Sequence, residues 1–403
     1  MKPRRPTVHI ADIPVIYVDT RARLEEVARQ LRGAPRLAFD TEFLRETQYW
    51  PQLEVMQLAT DDVLVVVDYR AVPTLDPLLD VLLDPATLKV AHAARQDLET
   101  IHHLTRRVPA PLFDTQVAAA LAGFGAQAGY ATLVERLLGI PLQKSQTLTN
   151  WARRPLTEAQ IAYALDDVRY LLPLHHELHR RLEAMGRSAW LEEEMRQLTS
   201  PALYAPPAPE EAWRHVKGAS TLAPKELAVL QAVAAWRERV AREHNRALPL
   251  ILRDNALVTI ARRRPRSKQA LRRIRGVHRW TLTRVADDLL EVIRRADELP
   301  PEQWPRHAHG HAPLTEDEQA LLHIMSTWVR LRAEEMHLAP EALATEHDLR
   351  LLLHAHRKGH HRHLPLLQGW RRAAVGDELV AIIEGRVALR WDAYQGRFVL
   401  EPC

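Results

Sequence analysis

The chain has 403 residues, of which 46% are hydrophobic and 26% charged, an ordinary globular balance on a chain too long for one domain. No apolar run reaches the ~20 residues that a bilayer span needs, and the opening MKPRRPTVHIADIPVIYVDT lacks the apolar core of a signal peptide, so it reads as mature protein. The single cysteine, Cys403, leaves no internal disulfide and no cysteine-based zinc site, which fits a reducing cytoplasm.

The net charge of +4 is unevenly spread: residues 1–200 sum to −3, residues 201–300 to +9 and residues 301–403 to −2. The densest basic stretch runs from Arg262 to Arg279 without an acid and includes Arg263, Arg264, Arg266, Lys268, Arg272, Arg273 and Arg275. Such a field attracts polyanions, RNA among them. An arginine-rich solvated helix face would read the same way.

In chain order, RLAFDT (36–41), LEVMQLAT (53–60) and VLVVVD (63–68) read as strands, the last two close enough for a hairpin. Helical spacing follows at 75–84. LKVAH (88–92) is a buried strand, and a helix runs from about Ala94 to Leu104. Asp114 is placed to cap TQVAAALA, and Thr157 to cap a long helix through Glu183. This alternation predicts an α/β domain over residues 1–200. The stretch 200–213 reads as a linker. Beyond it strand signals nearly vanish. Two helical sets, over 214–298 and 312–390, form a divergent internal repeat: each opens with a long helix carrying a central tryptophan, Trp236 or Trp328, and ends on an apolar helix. The tail 391–403 belongs to a terminal hairpin around Gln395 and Gly396.

Four carboxylates carry the chemistry. Asp40 and Glu42 share one face of a strand end. Asp97 lies one turn into the helix after the fourth strand. Asp167 lies inside a helix with Tyr163 one turn before it. Four bare charges in one cleft repel one another. Two oxygen-ligated divalent cations, Mg2+ or Mn2+, resolve that, and a pair roughly 3.5–4 Å apart can flank a scissile phosphate. Each fragment alone is weak evidence, because a D-x-E at a strand end is usually a turn and Asp167 beside Asp166 could be a solvated face. Order and local structure together make the case.

FDTEFLRETQYWPQLEVMQLAT, KVAHAARQDLETI and AQIAYALDDVRYLLPLH resemble the three exonuclease motifs of the DEDD superfamily, in its tyrosine-containing branch. The linking sequence is similar to the ribonuclease D family over about residues 15–200, and the two helical sets resemble HRDC domains. The resemblance implies a ribonuclease H-like exonuclease fold followed by two small all-α HRDC-like bundles. It implies 3′→5′ trimming of RNA ends, with transfer RNA precursors as substrates and nucleoside 5′-monophosphates as products. Asp40, Glu42, Asp97, Asp167 and Tyr163 stand where the family has its catalytic set. A 3′→5′ DNA exonuclease and a nucleic-acid-binding scaffold with a decayed nuclease remain alternatives at this stage. No protein partner and no membrane are implied.

Secondary residues divide between two readings. Phe43 and Tyr49 suit base stacking, or ordinary core and lip packing. His92 suits the scissile phosphate, or a structural hydrogen bond. Lys144 suits the RNA backbone, while Trp151 reads as core. Gln57 faces the site or satisfies a backbone group, and Asp114 reads as a cap rather than a further ligand. The runs His307, His309, His311 and His354, His356, His360, His361, His363 read as surface histidines rather than a metal centre.

Overall fold

Branched, apolar runs bounded by polar turns become strands, and the amphipathic stretches between them become helices. In the computed structural model these are β1 (Val15–Val18), α1 (Arg21–Leu31), β2 (Arg36–Leu44), β3 (Gln52–Ala59), β4 (Leu64–Asp68), α2 (Asp76–Leu82), β5 (Leu88–Ala91), α3 (Arg95–Thr105), β6 (Leu112–Asp114), α4 (Thr115–Leu121), the short α5 (Tyr130–Leu133), α6 (Glu158–Arg169), α7 (Leu171–Ala184) and α8 (Ser188–Leu198). The structure describes residues 13–142, 149–305, 314–359 and 363–403. Lys144, the run from His307 to His311, His360 and His361 lie outside them.

The strands form one mixed sheet in the order β1-β4-β3-β2-β5-β6. β3 and β4 are the expected antiparallel hairpin, with Gln57 opposite Val66, while β1–β4, β2–β5 and β5–β6 run parallel. β3 and β4 are almost wholly buried, which explains the nearly continuous apolar run of β4; in β3 the polar Glu54 and Gln57 are buried along with its apolar residues. Sequence analysis missed β1 and β6, which are short edge strands. β2 pairs with β5 only over Arg36–Ala38. Its second half therefore runs past its neighbour, at the carboxyl ends of the parallel strands, where open α/β sheets place ligands.

The predicted helix from Thr157 through Glu183 is two helices. Thr157 caps α6 in a reciprocal capping box with Gln160, and the helical path breaks at Tyr170. Pro173 gives the reason. It has no N–H to donate and its ring collides with the carbonyl four residues back, so it is tolerated only in the first turn of a new helix.

The chain divides into two compact units: Met1–Glu42, Val55–Leu203 and Pro313–Cys403 form one, and Phe43–Glu54 with Tyr204–Ala312 form the other. The second unit is helical, with α9 (Pro224–Glu243), α10 (Asp254–Arg263), α11 (Lys268–Arg272), α12 (Arg279–Arg284) and α13 (Ala286–Asp297). The stretch 200–213 is more than a linker. Pro209–His215 forms a 3-10 turn, and its Ala212 and Trp213 are buried in the apolar core of this unit. Tyr49 packs on the same core.

The second helical set shares the first unit with the sheet. It comprises α14 (Glu316–Glu335), α15 (Pro340–Leu343), α16 (Glu346–Arg357), α17 (Gly369–Arg371) and α18 (Asp377–Ile383), followed by the hairpin β7 (Val387–Asp392) and β8 (Arg397–Pro402). Trp370 stacks on Trp190 at 4.7 Å between ring centroids. Its indole N–H donates to Glu194 at 2.8 Å, and Arg371 pairs with the same carboxylate at 2.5 Å. Gly369 has φ +51°, and a Cβ there would collide with the Glu193 carboxylate, so only glycine permits this approach.

Candidate active site

Asp40 and Glu42 reach the site because alternation along β2 turns both to one face. Asp167 reaches it from the interior of α6. These three carboxylates each offer an oxygen within 4.8 Å of the others. Asp97 enters from the first turn of α3 and is 7% exposed. Its Oδ1 accepts the backbone N–H of Thr41 at 3.2 Å and also the Thr41 hydroxyl. Thr41, between the two strand acids, thus ties the third acid to them. Sequence reasoning passed over it, although it is the middle letter of the D-T-E motif.

Asp114 explains how α3 is aimed. The chain between β5 and α3 passes through Ala93 at φ +55°, a left-handed conformation that costs on the order of 1 kcal/mol for a residue with a side chain. Asp114 offsets this by accepting the Ala93 N–H at 3.1 Å and the Ala94 N–H at 2.8 Å. It also caps α4 through Gln116 and Val117, as expected. Tyr130, which sequence reading did not single out, donates its hydroxyl to the Asp166 carbonyl at 2.8 Å and accepts the Tyr170 N–H at 3.2 Å. It thereby fixes the end of α6. Asp166 pairs with Arg169 at 3.3 Å. The two neighbouring aspartates therefore have separate employment.

The electrostatics are those of crowded acids. Burial, with the charges of Asp97, Asp167 and Glu42, raises Asp40 well above the usual carboxylate range. Burial first, then Asp167 and Asp97, pushes Glu42 to about 8. Asp97 is raised to about 7 by burial, against the lowering effect of Thr41. Asp167 is raised to about 7 by burial and Asp166, while a hydrogen bond from Tyr163 acts the other way. Trp151, 5% exposed, stands behind Tyr163 with ring centroids 6.2 Å apart. Each of these acids gains from a neighbouring cation. An all-carboxylate donor set suits hard, oxygen-seeking divalent ions.

The remaining predicted residues scatter. His92 Nδ1 lies 2.9 Å from the Thr115 hydroxyl, the structural bond weighed above. Gln57 is fully buried, and neither its Oε1 nor its Nε2 meets a hydrogen-bond partner. Phe43 is half-buried beside Glu42. Tyr49 is engaged elsewhere: its hydroxyl donates to Glu238 and accepts from Arg242 at 3.1 Å. Trp50 N–H donates to Asn245 at 3.0 Å and Ala247 N–H to the Thr47 carbonyl at 3.1 Å. The basic stretch also divides. Arg264 and Arg266 pair with Asp297 at 3.2 and 3.7 Å, and Lys268 with Asp287 at 2.6 Å. Arg263, Arg272 and Arg273 are exposed. Arg272 lines a cavity of about 910 Å³ with Lys268, Gln269, Arg279 and Thr283. His354, His356 and His363 join no cluster of metal-ligating groups among the described residues, but His354, expected at the surface, is buried on the inner face of α16 at 6% exposure.

Known proteins resemble this chain over most of its length. A family model described as 3′-5′ exonuclease matches residues 15–183, and a model for the HRDC domain matches residues 226–293. Ribonuclease D of Gluconacetobacter diazotrophicus is 41% identical over 381 residues, covering 94% of this chain and 95% of the relative. Ribonuclease D of Bartonella henselae is 37% identical over 366 residues, covering 90% and 89%. The crystal structure of Escherichia coli RNase D, an exoribonuclease involved in structured RNA processing, superposes with a TM-score of 0.84 at 30% identity, covering 92% of this chain and 99% of that one.

Proposed function

The chain belongs to the ribonuclease D family and is a 3′→5′ exoribonuclease with a divalent-metal-dependent DEDD domain and an HRDC domain, and we propose that it trims the 3′ ends of transfer RNA precursors at a site of two divalent cations. The observation that carries this reading is the convergence of Asp40, Glu42 and Asp167 within 4.8 Å, with Asp97 tied in through Thr41. Two divalent cations, Mg2+ or Mn2+, would supply the Lewis acidity for attack of water on the last phosphodiester and for departure of the 3′ oxygen.

The residues of the chain do the rest. Asp40, Glu42, Asp97 and Asp167 gather and space the positive charge. The Tyr163 hydroxyl, bonded to Asp167, orients the attacking water. Phe43 supports the terminal base by stacking. Arg263, Arg272 and Arg273 hold RNA phosphates, each as a charge that no acid neutralises among the described residues, and the adjoining Arg279 belongs with them. Tyr49 drops out of the stacking set, since its ring and hydroxyl are occupied. The set α14–α18 is a second, divergent HRDC-like bundle. Its support is a hydrogen bond common to both sets: Trp236 donates to Asp288 in α13, and Trp328 to Glu378 in α18.

The test uses the full chain and a 5′-labelled transfer RNA precursor with extra 3′ nucleotides. Mn2+ should give stepwise shortening with release of nucleoside 5′-monophosphates, and a chelator should stop it. Asp40→Asn and Asp167→Asn should each lower the rate by at least about a thousandfold, the scale of a lost electrostatic contact to the transition state, while RNA binding persists. Trimming that survives Asp40→Asn would sink the two-cation assignment. Equal trimming of an unrelated single strand would sink the substrate assignment alone.

A further inference from the structure

The catalytic acids stand on strands and helices, whose backbone hydrogen bonds hold them in place. The segment that leads into α6 has no such support. Residues 149–155 form neither helix nor strand, and a segment of that kind keeps its shape through bonds from side chains. It has them at four consecutive residues. The Gln160 Nε2 donates to the Thr149 hydroxyl at 3.1 Å and to the Asn150 carbonyl at 3.4 Å. Arg154 donates to the Trp151 carbonyl at 2.6 Å, and Arg70 to the Ala152 carbonyl at 2.7 Å.

Arg154 joins these anchors to the sheet. Its Nε and Nη2 meet the two carboxylate oxygens of Asp68 at 2.6 and 2.7 Å, while its Nη1 holds the Trp151 carbonyl. Asp68 ends β4, and Tyr17 of β1 donates to it at 2.9 Å. Burial works against the charge of Asp68, but the hydrogen bonds from Arg154 and Tyr17 hold its carboxyl below the usual range, so the pair is ionised. A planar guanidinium that spans a carboxylate and a carbonyl at once fixes an angle as well as a distance. The main chain at Trp151 is thereby set relative to β4. The Trp151 indole is the ring that stands behind Tyr163. The path is continuous: Asp68 holds Arg154, Arg154 holds Trp151, Trp151 flanks Tyr163, and the Tyr163 hydroxyl bonds Asp167.

We propose that Arg154 is a positioning residue for the exonuclease reaction: by tying Trp151 to Asp68 it keeps the indole against Tyr163 and so fixes where the tyrosine hydroxyl points. The proposal rests on the water-orienting role of Tyr163 given above. Displacing a group at the reacting centre by about 1 Å costs on the order of a hundredfold in rate. An α6 correctly placed on the sheet is therefore not enough if the ring it carries is free to swing.

The test is a cycle of variants of the full chain, assayed with Mn2+ and saturating single-stranded RNA. Tyr163→Phe should lower kcat at least about tenfold. Arg154→Lys keeps the charge but not the planar fork, and it should lower kcat about tenfold while KM stays within about twofold. In the Tyr163→Phe background the same change should cost less than about twofold, since the group it acts through is gone. Trp151→Leu should follow Arg154→Lys in both backgrounds, and Trp151→Phe, which keeps a ring, should recover most of the loss. A second measurement needs no metal. With 3-fluorotyrosine at the eight tyrosines, the 19F resonance that Tyr163→Phe removes should move in Arg154→Lys with chelator present. An equal loss in both backgrounds, or a Tyr163 resonance that stays in place, overturns the proposal and leaves the exonuclease reading intact. Full activity of Tyr163→Phe overturns the water-orienting role, and the proposal falls with it.

Discussion

In the first helical set Trp236, the thirteenth residue of α9, donates its indole N–H to Asp288 at 2.5 Å; in the second, Trp328, the thirteenth residue of α14, donates to Glu378 at 2.8 Å. The plan is common, yet the surroundings differ. The first set closes a core of its own, with Trp213, Trp236, Leu257 and Ile293 buried in it. The second leans on the exonuclease fold through Trp370, Arg371 and Gly369. Their surface charge differs as well. Arg263, Arg272 and Arg273 of the first set stand exposed. Arg350, Arg357 and Arg372 of the second pair with Glu346, Glu318 and Asp377. A helix pattern specifies the order and the internal bond of such a bundle. What the bundle then serves depends on which of its surface groups are left unsatisfied.

Four changes would break or sharpen that contrast. The largest effect belongs to Trp370→Ala, which removes the stack on Trp190 and the indole hydrogen bond to Glu194. Truncation of a buried tryptophan costs about 3–5 kcal/mol, so the melting transition of the unit holding the active site should fall steeply. A loss below about 1 kcal/mol would mean that the second set does not depend on this contact.

Next comes pH in the presence of a chelator. Glu42 is raised to about 8, and Asp97 and Asp167 to about 7. Their folded values exceed the unfolded ones, so the folded form binds more protons. That stability is complete below the ordinary carboxylate range and is lost as pH rises through 7 to 8. Calorimetry should show the acid-bearing unit losing several kcal/mol between pH 6 and pH 8.5, at ~1.4 kcal/mol per proton and pH unit. Mn2+ should restore it, and Asp167→Asn should flatten the slope. The helical unit of α9–α13 lacks such a cluster among the described residues, and a transition of its own should not follow.

Trp236→Phe and Trp328→Phe should each cost about 1.5 kcal/mol, the worth of a hydrogen bond to a charged acceptor. Denaturant melts that separate the two widely would argue against a shared plan. The smallest effect is on affinity. Replacing Arg263, Arg272 and Arg273 with alanine should weaken RNA binding about tenfold, or ~1.4 kcal/mol. It should also reduce the salt slope by about 2, at ~0.7 per phosphate contact on a single strand. Replacing Arg350, Arg357 and Arg372 should leave that slope alone. If both triples act alike, the exposed arginines have no special place in RNA binding.

Much of the site was legible in order. Alternation announces that Asp40 and Glu42 share a face, and a one-turn spacing announces that Tyr163 reaches Asp167. Less was legible where a contact spans the chain. Nothing local marks Asp114 as the group that aims Asp97, because its partners are backbone amides of Ala93 and Ala94, whose residue types carry no signal. Tyr49 looked like a stacking residue because it follows the acids closely. Its real neighbours, Glu238 and Arg242, are far along the chain. The basic run told the same half of a story. Composition counts arginines, but Asp297 and Asp287, which occupy Arg264, Arg266 and Lys268, lie on another helix.

The sequence by itself determined the order of the inner strands β2 to β5, the shared strand face of Asp40 and Glu42, and the one-turn spacing of Tyr163 and Asp167. Each of those rests on short-range periodicity, which backbone geometry enforces within a few residues. The tertiary structure alone decided that Thr41 binds Asp97, that the second helical set rests on the exonuclease fold, and which arginines of the basic stretch pair with an acid among the described residues. Those outcomes depend on pairing between residues distant in sequence, where a charge or ring is satisfied only by what folding brings beside it.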